Sequence, residues 1–278
     1  MIILNLQGGL GNQIYQYNFA LLLAKRLKTK IIVNDEIIRR GNFINELSKV
    51  GIKHKRFNAI MGYTLYFICS VVYKFNLKKF INSKYIYFYL DPQTGYDPEI
   101  ERICSKIIFL NGYFQNHEYL VENMKDIQDM IHDSISNNPK NQFTSNQVCV
   151  HVRRGDYLDI NNKAIFFKLD VDYYLKAMDF INSQQEEKLL FKIFSNDIEY
   201  CKSAFKNIAY KLVFIENSDP IDDFKEMIQC NHFIIANSTF SLLASIFSKA
   251  ADKFIIAPRQ WFQESQDDSL VPKSYLRI

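Results

Sequence analysis

The sequence predicts an α/β protein with a parallel β-sheet in each of two halves. Short apolar runs alternate with stretches of helical periodicity almost from end to end, as in repeated βα units. A polar segment with a proline, residues 136–142, interrupts this alternation and is the best candidate for a linker. The chain of 278 residues is long enough for two domains. We expect domains at 1–140 and 141–258 and a tail, 259–278, that packs back on the first domain.

The first half begins with a strand at residues 2–6, because all but one of these residues are apolar, as in a strand buried on both faces. A helix at 12–28 follows, with apolar residues at helical spacing and three cations near its C-terminal end, where the helix dipole favours them. Further strands are predicted at 31–33, 85–90 and 107–110, with a basic, aromatic helical region at 53–79 and a helix at 118–135.

The second half repeats the alternation of strand and helix after the polar segment. The strands are recognised as short apolar runs and the helices by their periodicity and their polar N-terminal residues. Strands are predicted at 148–152, 190–194, 211–215, 232–236 and 254–257, and helices at 172–182, from 198, at 221–230 and at 240–247.

Bulk composition limits the classes of function. A net charge of +4 suits a small anionic ligand or a membrane surface better than duplex nucleic acid. The five cysteines include no CxxC pair, so free thiols in a reducing compartment are expected and structural zinc is not. No signal peptide is recognised, and the longest apolar stretch, residues 59–73, is too short to span a bilayer. We therefore expect a cytoplasmic protein, with peripheral contact at the inner face of the membrane left open.

A glycine-rich loop, residues 7–13, joins the first strand to the first helix. Gly9 and Gly11 let the backbone approach a ligand closely, and the helix N-terminus offers free N–H groups to an anion. The loop matches neither a dinucleotide fingerprint nor a Walker motif. The amides of Asn12 and Gln13 suit sugar hydroxyls or phosphate; the alternative is a tight turn in which Asn12 caps the helix.

An arginine pair at the end of the first strand of the second half is the most informative motif. His151-Val152-Arg153-Arg154-Gly155-Asp156-Tyr157 places Arg153 and Arg154 at the carboxyl edge of a sheet, where open α/β sheets bind ligands. Guanidinium groups bind phosphate oxygens in a bidentate way and stay charged at physiological pH. The motif predicts a diphosphate site; the alternative is a surface pair between an arginine and Asp156.

Two more polar loops follow strands of the second half. Phe194-Ser195-Asn196-Asp197 can bond a base or ribose, and Ala236-Asn237-Ser238-Thr239-Phe240-Ser241 places three hydroxyls at a helix start, where an anion binds. For both loops the alternative is ordinary helix capping.

Asp170-Val171-Asp172 is a DxD motif that could chelate a metal, although Asp172 as a helix cap is the better interpretation. In the first half, the loop 111–118 ends the last strand and brings aromatic and polar side chains that suit a sugar ring. The candidates in this loop are Tyr113, Phe114, Gln115, His117 and Glu118.

In this order, the motifs resemble bacterial α-1,2-fucosyltransferases, glycosyltransferase family 11, nearly from end to end. The segments that carry the resemblance are 8–13, 112–115, 151–157, 194–197, 223–241 and 256–262. Leu242 and Leu243 stand where the family usually has two tryptophans, and Asn196 stands where it often has an aspartate.

The resemblance implies a GT-B fold, with two Rossmann-like domains facing a cleft, the first on the acceptor side and the second binding the GDP-sugar. It implies inverting transfer of fucose from GDP-β-L-fucose, without a metal or other cofactor, to a glycan hydroxyl, by default O-2 of a terminal galactose in O-antigen or another surface glycan. The implied catalytic residues are Arg153, Asp156 and Asn12. Donor contacts are implied for Gly9, Gly11, Asn12, Gln13, His151, Arg153, Arg154, Ser195, Asn196, Asp197, Asn237, Ser238, Thr239, Phe240 and Ser241.

Three alternatives stay open from the sequence. They are a glycosyltransferase for another GDP-deoxysugar, a metal-dependent enzyme that uses Asp170 and Asp172, and a non-catalytic nucleotide- or glycan-binding module. The general base is equally open among Asp35, Asp156, His117 and Glu118, and the leaving phosphate could take the proton instead.

Overall fold

A computed structural model describes residues 1–41, 43–92, 95–135, 146–154, 166–263 and 269–278. The chain forms two compact units, Met1–Ser134 and Ile135–Ile278. Each unit contains one all-parallel sheet with helices in the crossovers, as the alternating pattern predicts. The proposed boundary at residue 140 lies outside the described residues.

The first unit has a five-stranded sheet in the order β3-β2-β1-β5-β4. Its central strand, Ile2–Asn5, is buried along its whole length, as expected for a parallel strand inside an α/β sheet. In chain order the elements are β1 (Ile2–Asn5), α1 (Leu10–Arg26), β2 (Ile31–Asn34), α2 (Glu36–Arg40), a 3₁₀ turn (Leu47–Val50), β3 (Lys55–Arg56), α3 (Ala59–Lys74), α4 (Lys78–Ile81), β4 (Ile86–Leu90), α5 (Glu99–Arg102), β5 (Ile107–Asn111), α6 (His117–Val121) and α7 (Met124–Ile135).

The second unit has a six-stranded sheet in the order β11-β10-β9-β6-β7-β8. A buried apolar face of α8, which includes Ala177, Met178 and Ile181, packs on the sheet against β6 and β7. In chain order the elements are β6 (Gln147–Val152), α8 (Val171–Ser183), β7 (Leu190–Ser195), α9 (Ile198–Ala204), β8 (Lys211–Phe214), α10 (Pro220–Met227), β9 (His232–Ile234), α11 (Thr239–Phe247), β10 (Ile255–Ala257) and β11 (Leu276–Arg277).

The C-terminal tail differs from its prediction. Its strand β11 pairs in parallel with β10, and Arg259 N donates to the carbonyl oxygen of Ile278 at 2.9 Å. The end of the chain therefore extends the sheet of the second unit, whereas the sequence predicted that it would pack on the first domain.

Three helical predictions are also refined. Helix α1 begins at Leu10, two residues earlier than predicted. The region 53–79 contains β3, α3 and the start of α4, and the predicted helix at 118–135 is divided into α6 and α7. Within the described ranges, none of the helices is long and apolar enough to cross a membrane.

Candidate functional site

The arginine pair stands at the carboxyl end of β6, between the ends of β7 and β9. The backbone N–H of Arg154 donates to Asn196 Oδ1 at 3.0 Å, and Arg154 Nε donates to Asp197 Oδ2 at 3.4 Å. The Arg154 guanidinium also lies over the Tyr200 ring, 3.4 Å from its centroid. These contacts fix the direction of one cation at the edge of the sheet.

Asp197 has two functions in this arrangement. It is the N-cap of α9, where Oδ1 accepts from the backbone N–H of Tyr200 at 3.3 Å, and its second oxygen binds Arg154. The backbone N–H of Asp197 donates to Ser195 Oγ at 3.0 Å. The capping alternative is therefore correct for Asp197, and Asn196 is the exposed member of this loop.

His151 lies in β6, two residues before Arg153, and is almost completely buried. Burial, and then the positive charge of Arg153, lower the pKa of His151 to about 3, so the ring is neutral at physiological pH. Its centroid is 5.9 Å from that of Phe240. Among the described residues, His151 Nδ1 has no hydrogen-bond partner. A neutral imidazole leaves the positive charge of this strand end to the arginines.

In the loop between β9 and α11, most polar side chains form hydrogen bonds within the protein. Ser238 is the N-cap of α11 and accepts from the backbone N–H of Phe240 at 3.4 Å, so capping is correct here as well. Ser241 is fully buried, and its hydroxyl donates to the carbonyl of Ser238. Thr239 and Phe240 are the half-buried residues of the motif. The groups of this motif that suit an anion are therefore Thr239, Phe240 and the N-terminal backbone N–H groups of α11.

Asn237 ties neighbouring loops together. Its Nδ2 donates to the carbonyl oxygens of Phe167 at 2.8 Å and Trp261 at 2.9 Å, and the residue is 1% exposed. This position differs from the predicted donor contact, because both side-chain N–H groups are already bonded inside the protein.

In the first unit, the glycine loop and the loop after β5 meet. Gln115 Nε2 donates to Asn12 Oδ1 at 2.7 Å, which joins two motifs that lie 103 residues apart. The N-cap of α1 is Gly9, so Asn12 belongs to the first turn and the predicted Asn12 cap is wrong. Gly8 has φ +74°, and a Cβ there would be 2.6 Å from Asn12 Nδ2.

Gln13 supports a loop rather than facing solvent. Its Nε2 donates to the carbonyls of Gly8 at 2.9 Å and Ile44 at 2.8 Å, and its Oε1 accepts from the backbone N–H of Glu46. Because Gln13 is fully buried and its amide is bonded on both sides, its position does not favour the predicted donor contact. Gly11 is also buried.

Phe114 is a core residue and not the sugar platform that the sequence predicted. It is 1% exposed and stacks on Phe19, with 4.1 Å between ring centroids. Its backbone has φ +51°, and its N–H donates to Asp91 Oδ2 at 2.7 Å. The other acceptor candidates of this loop are half-buried or exposed, namely Tyr113, Gln115, His117 and Glu118.

The two candidate bases of this loop differ in their environment. Burial lowers the pKa of His117, which favours the neutral imidazole that a base requires. Glu118 is exposed and lies in the first turn of α6. Asp35, in contrast, is buried against Arg56 at 3.5 Å and Asn45 at 3.4 Å.

A row of three asparagines at the carboxyl edge of the first sheet was not among the predicted site residues. Asn34, Asn5 and Asn111 lie in register as the last residues of β2, β1 and β5. Asn34 Nδ2 donates to Asn5 Oδ1 at 3.0 Å. The sequence contains a signal for this row, because Asn34 and Asn111 each follow directly after a predicted apolar strand and Asn5 is the one polar residue of the predicted strand 2–6. Tyr200, which carries the Arg154 guanidinium, had no such signal.

The DxD motif begins a helix. Gly155 and Asp156 lie outside the described residues. Asp170, and not Asp172, is the N-cap of α8, and its carboxylate accepts from the backbone N–H of Tyr173 at 3.0 Å. Among the residues that the structure describes, no three His, Cys, Asp or Glu side chains are grouped as metal ligands.

Comparison with known proteins gives matches over the whole chain. The profile of glycosyl transferase family 11 matches residues 1–272. The chain is 28% identical to the O-antigen biosynthesis glycosyltransferase WbnK of Escherichia coli, over 98% of this chain and 99% of that protein. It is 24% identical to an alpha-1,2-colitosyltransferase of Escherichia coli, over 100% and 99% of the two chains.

A partial match to a further relative and a solved structure agree with the match to glycosyl transferase family 11. The chain is 30% identical to galactoside alpha-(1,2)-fucosyltransferase 1 of Lagothrix lagotricha, over 49% of this chain and 37% of that protein. A structure of Arabidopsis thaliana FUT1 in complex with GDP aligns with a TM-score of 0.51 at 10% identity, over 98% of this chain and 74% of that one. This likeness concerns the fold, which is GT-B-like.

Proposed function

The chain belongs to glycosyl transferase family 11 and is a glycosyltransferase, and we propose that it transfers L-fucose from GDP-β-L-fucose to O-2 of a terminal galactose. The acceptor would be part of an O-antigen or a similar surface glycan. Two relatives support this assignment, since WbnK is named for O-antigen biosynthesis and the partial match is named a galactoside α-(1,2)-fucosyltransferase.

The observation that carries the proposal is the pair of arginines at the edge of the second sheet, of which Arg154 is held in a fixed direction. Arg154 is held by Asp197 and Tyr200 while its neighbour Arg153 shares the same strand end. His151, in the same strand, is neutral because its pKa is lowered to about 3. A site with two arginines and the half-buried start of α11 suits the diphosphate of a nucleotide sugar.

The proposed mechanism uses this charge on the leaving group. In inverting fucosyl transfer, the acceptor oxygen attacks the anomeric carbon as the bond to the β-phosphate oxygen breaks, and negative charge builds on GDP. The Arg153 guanidinium binds the β-phosphate and stabilises that charge, whereas Arg154 and Asn196 shape the site. Such preorganised donors contribute about 3–4 kcal/mol each to lowering a barrier.

The proton of the acceptor hydroxyl needs a destination. Among the described candidates, His117 combines a lowered pKa with a half-buried position at the start of α6. We propose His117 as the base to test first, with the departing phosphate as the alternative acceptor of the proton.

The experiment is GDP release from GDP-fucose, with and without a β-galactoside such as lactose or N-acetyllactosamine. We expect the galactoside to stimulate release and the product to carry an α-1,2 linkage by NMR. GDP binding without turnover on any acceptor would instead indicate a binding module. Absence of GDP binding would contradict the proposed site of Arg153.

A second donor has support from one observation, the full-length similarity to an α-1,2-colitosyltransferase. The Leu242-Leu243 pair does not distinguish the two sugars, because both side chains are fully buried in α11. Competition between GDP-fucose and GDP-colitose for transfer to one acceptor decides between them. Preference for the colitose donor would replace fucose and keep the rest of the proposal.

A further inference from the structure

Helix α3 is apolar on all sides. Residues 59–73 contain no charged side chain. One face packs on the first sheet, where Cys69 and Val72 contact the cluster formed by Ile3, Phe88 and Phe109. In a water-soluble helix the opposite face is normally polar, so apolar residues there indicate a second contact surface.

The outward face of α3 is exposed. Ile60 is 82% exposed and Phe67 59%, and these residues are seven positions apart on one side of the helix. Phe75 after α3 and Phe80 in α4 continue the apolar surface at 63% and 86% exposure. Large side chains this exposed in a contiguous segment mark a binding surface.

The charge of the same segment is strongly one-sided. Between Glu46 and Asp91 there is no acidic residue, whereas the segment contains Lys49, Lys53, Lys55, Arg56, Lys74, Lys78, Lys79 and Lys84. The rest of the chain has 26 basic and 30 acidic residues, so without this segment it would be net negative. Within the part of the chain that the structure describes, Lys74, Lys78 and Lys79 make no ion pair.

We propose that this basic apolar face, residues 53–84, docks on a membrane that contains anionic phospholipid. The exposed aromatic and aliphatic side chains enter the boundary between headgroups and acyl chains, and the lysines bind the headgroup phosphates. A membrane with anionic headgroups complements both the exposed apolar side chains and the lysines. A second copy of the same face would bring two sets of unpaired lysines together, and nucleic acid would leave Ile60 and Phe67 in water.

Flotation of the full-length protein with phosphatidylcholine vesicles, with and without phosphatidylglycerol, tests the apolar part. We expect binding to the anionic vesicles, and a loss of at least about tenfold in Ile60→Ser/Phe67→Ser. Val121→Ser is the matched control, because Val121 is also a half-exposed apolar helical residue but lies outside the face. Its binding should equal that of the wild type.

A charge reversal tests the basic part. Lys74→Glu/Lys78→Glu/Lys79→Glu should weaken binding by about 100-fold or more, from about 1 kcal/mol for each basic residue near the surface. The control Lys188→Glu/Lys206→Glu/Lys211→Glu makes the same change in net charge at exposed positions of the second unit. Equal losses in the two triple variants would overturn the proposal.

Two further outcomes would also overturn it. One is absence of binding to either kind of vesicle. The other is a concentration-dependent dimer by sedimentation velocity that Ile60→Ser/Phe67→Ser dissociates, because the face would then bind a second copy. These results are independent of the transferase assay, in which a soluble galactoside acceptor needs no membrane and the face variants should keep wild-type GDP release.

Discussion

At the scale of single residues, Arg153 is proposed to carry most of the chemistry. We expect Arg153→Ala to lower kcat about 10²–10³-fold, because one preorganised donor to the developing charge on phosphate is removed. Arg153→Lys should lose nearly as much, since an ammonium group cannot form the two parallel hydrogen bonds of a guanidinium. Steady-state kinetics with GDP-fucose measure kcat of both variants, and unfolding midpoints check that they are folded. A near-wild-type kcat in Arg153→Lys would contradict the proposed role of Arg153 in stabilising the leaving phosphate.

Asp223 offers a prediction about stability and pH. Burial, opposed by a hydrogen bond from Asn217, raises the pKa of this carboxyl to about 6, against about 3.9 in an unfolded chain. Between these values the folded protein binds more protons than the unfolded one, so this group's stabilisation is present below about pH 4 and is lost as the pH rises through 6. Above that range the ionised carboxylate costs stability.

The variant Asp223→Asn should therefore be more stable than the wild type at pH 7, by about 1 kcal/mol after allowance for solvent screening of this partly exposed group. The difference should shrink towards zero as the pH falls to about 4. Urea unfolding over this range measures it, with Asp222→Asn as the control for loss of a charge at an exposed position in the same helix. A variant less stable than the wild type at pH 7 would contradict the burial argument.

At the scale of elements, the turn after β5 depends on a residue without a side chain. Gly112 has φ +145°, and a Cβ there would lie 2.1 Å from Asp91 Cβ. Asp91 in turn accepts from the backbone N–H of Phe114. We expect Gly112→Ala to lower the free energy of unfolding by at least about 3 kcal/mol, because backbone strain and a steric clash combine.

Gly95→Ala is the matched control for that turn. Gly95 also has a positive φ, +72°, but no atom of the described residues lies within 4 Å of an added Cβ. Its cost should be the strain alone, about 1–2 kcal/mol. Equal urea midpoints for the two variants would mean that the contact with Asp91 relaxes without cost.

The helices and strands also show which elements a local sequence pattern predicts and which it does not. Predicted strands such as β1 and β6 are present because runs of apolar residues are sufficient to specify a strand buried on both faces. The two-residue strand β11 was missed, since it exists only through its pairing with β10 and has no local signal. The start of α3 was missed for a related reason, because the strand before it, β3, is only two exposed cations, Lys55–Arg56, without the apolar run that indicates a strand.

For the candidate site, the strand ends were predictable but the use of each polar side chain was not. Parallel strands bring their carboxyl ends to one edge, which places Arg153, Asn196 and Ser238 together. Gln13 and Asn237 were predicted to face a ligand, yet their amides bond to carbonyls 31 and 70 residues away in the chain. Such partners depend on the tertiary structure and are not visible in a local motif.

At the scale of the whole molecule, two groups of basic residues have different surroundings. The two arginines at the end of β6 are half-buried, and Arg154 is held by the Asp197 carboxylate and the Tyr200 ring. The lysines of the basic apolar face are in water without carboxylate partners among the described residues. The first arrangement suits one ligand in a fixed geometry, and the second suits a broad anionic surface whose attraction weakens with salt.

The arginine pair also leads to a prediction about metals. If guanidinium groups and the N-terminus of α11 stabilise the leaving diphosphate, transfer should proceed at the same rate with EDTA as without it. The competing hypothesis places a metal on Asp170 and Asp172, but Asp170 already caps α8 through the backbone N–H of Tyr173. Both Asp170→Asn and Asp172→Asn should therefore keep kcat. Asp170→Asn should at most lower the unfolding midpoint slightly, because asparagine also caps helices. A loss of kcat in EDTA that Mg²⁺ or Mn²⁺ restores, together with inactive Asp170→Asn and Asp172→Asn variants, would assign the charge stabilisation to a metal and reduce Arg153 to a binding residue.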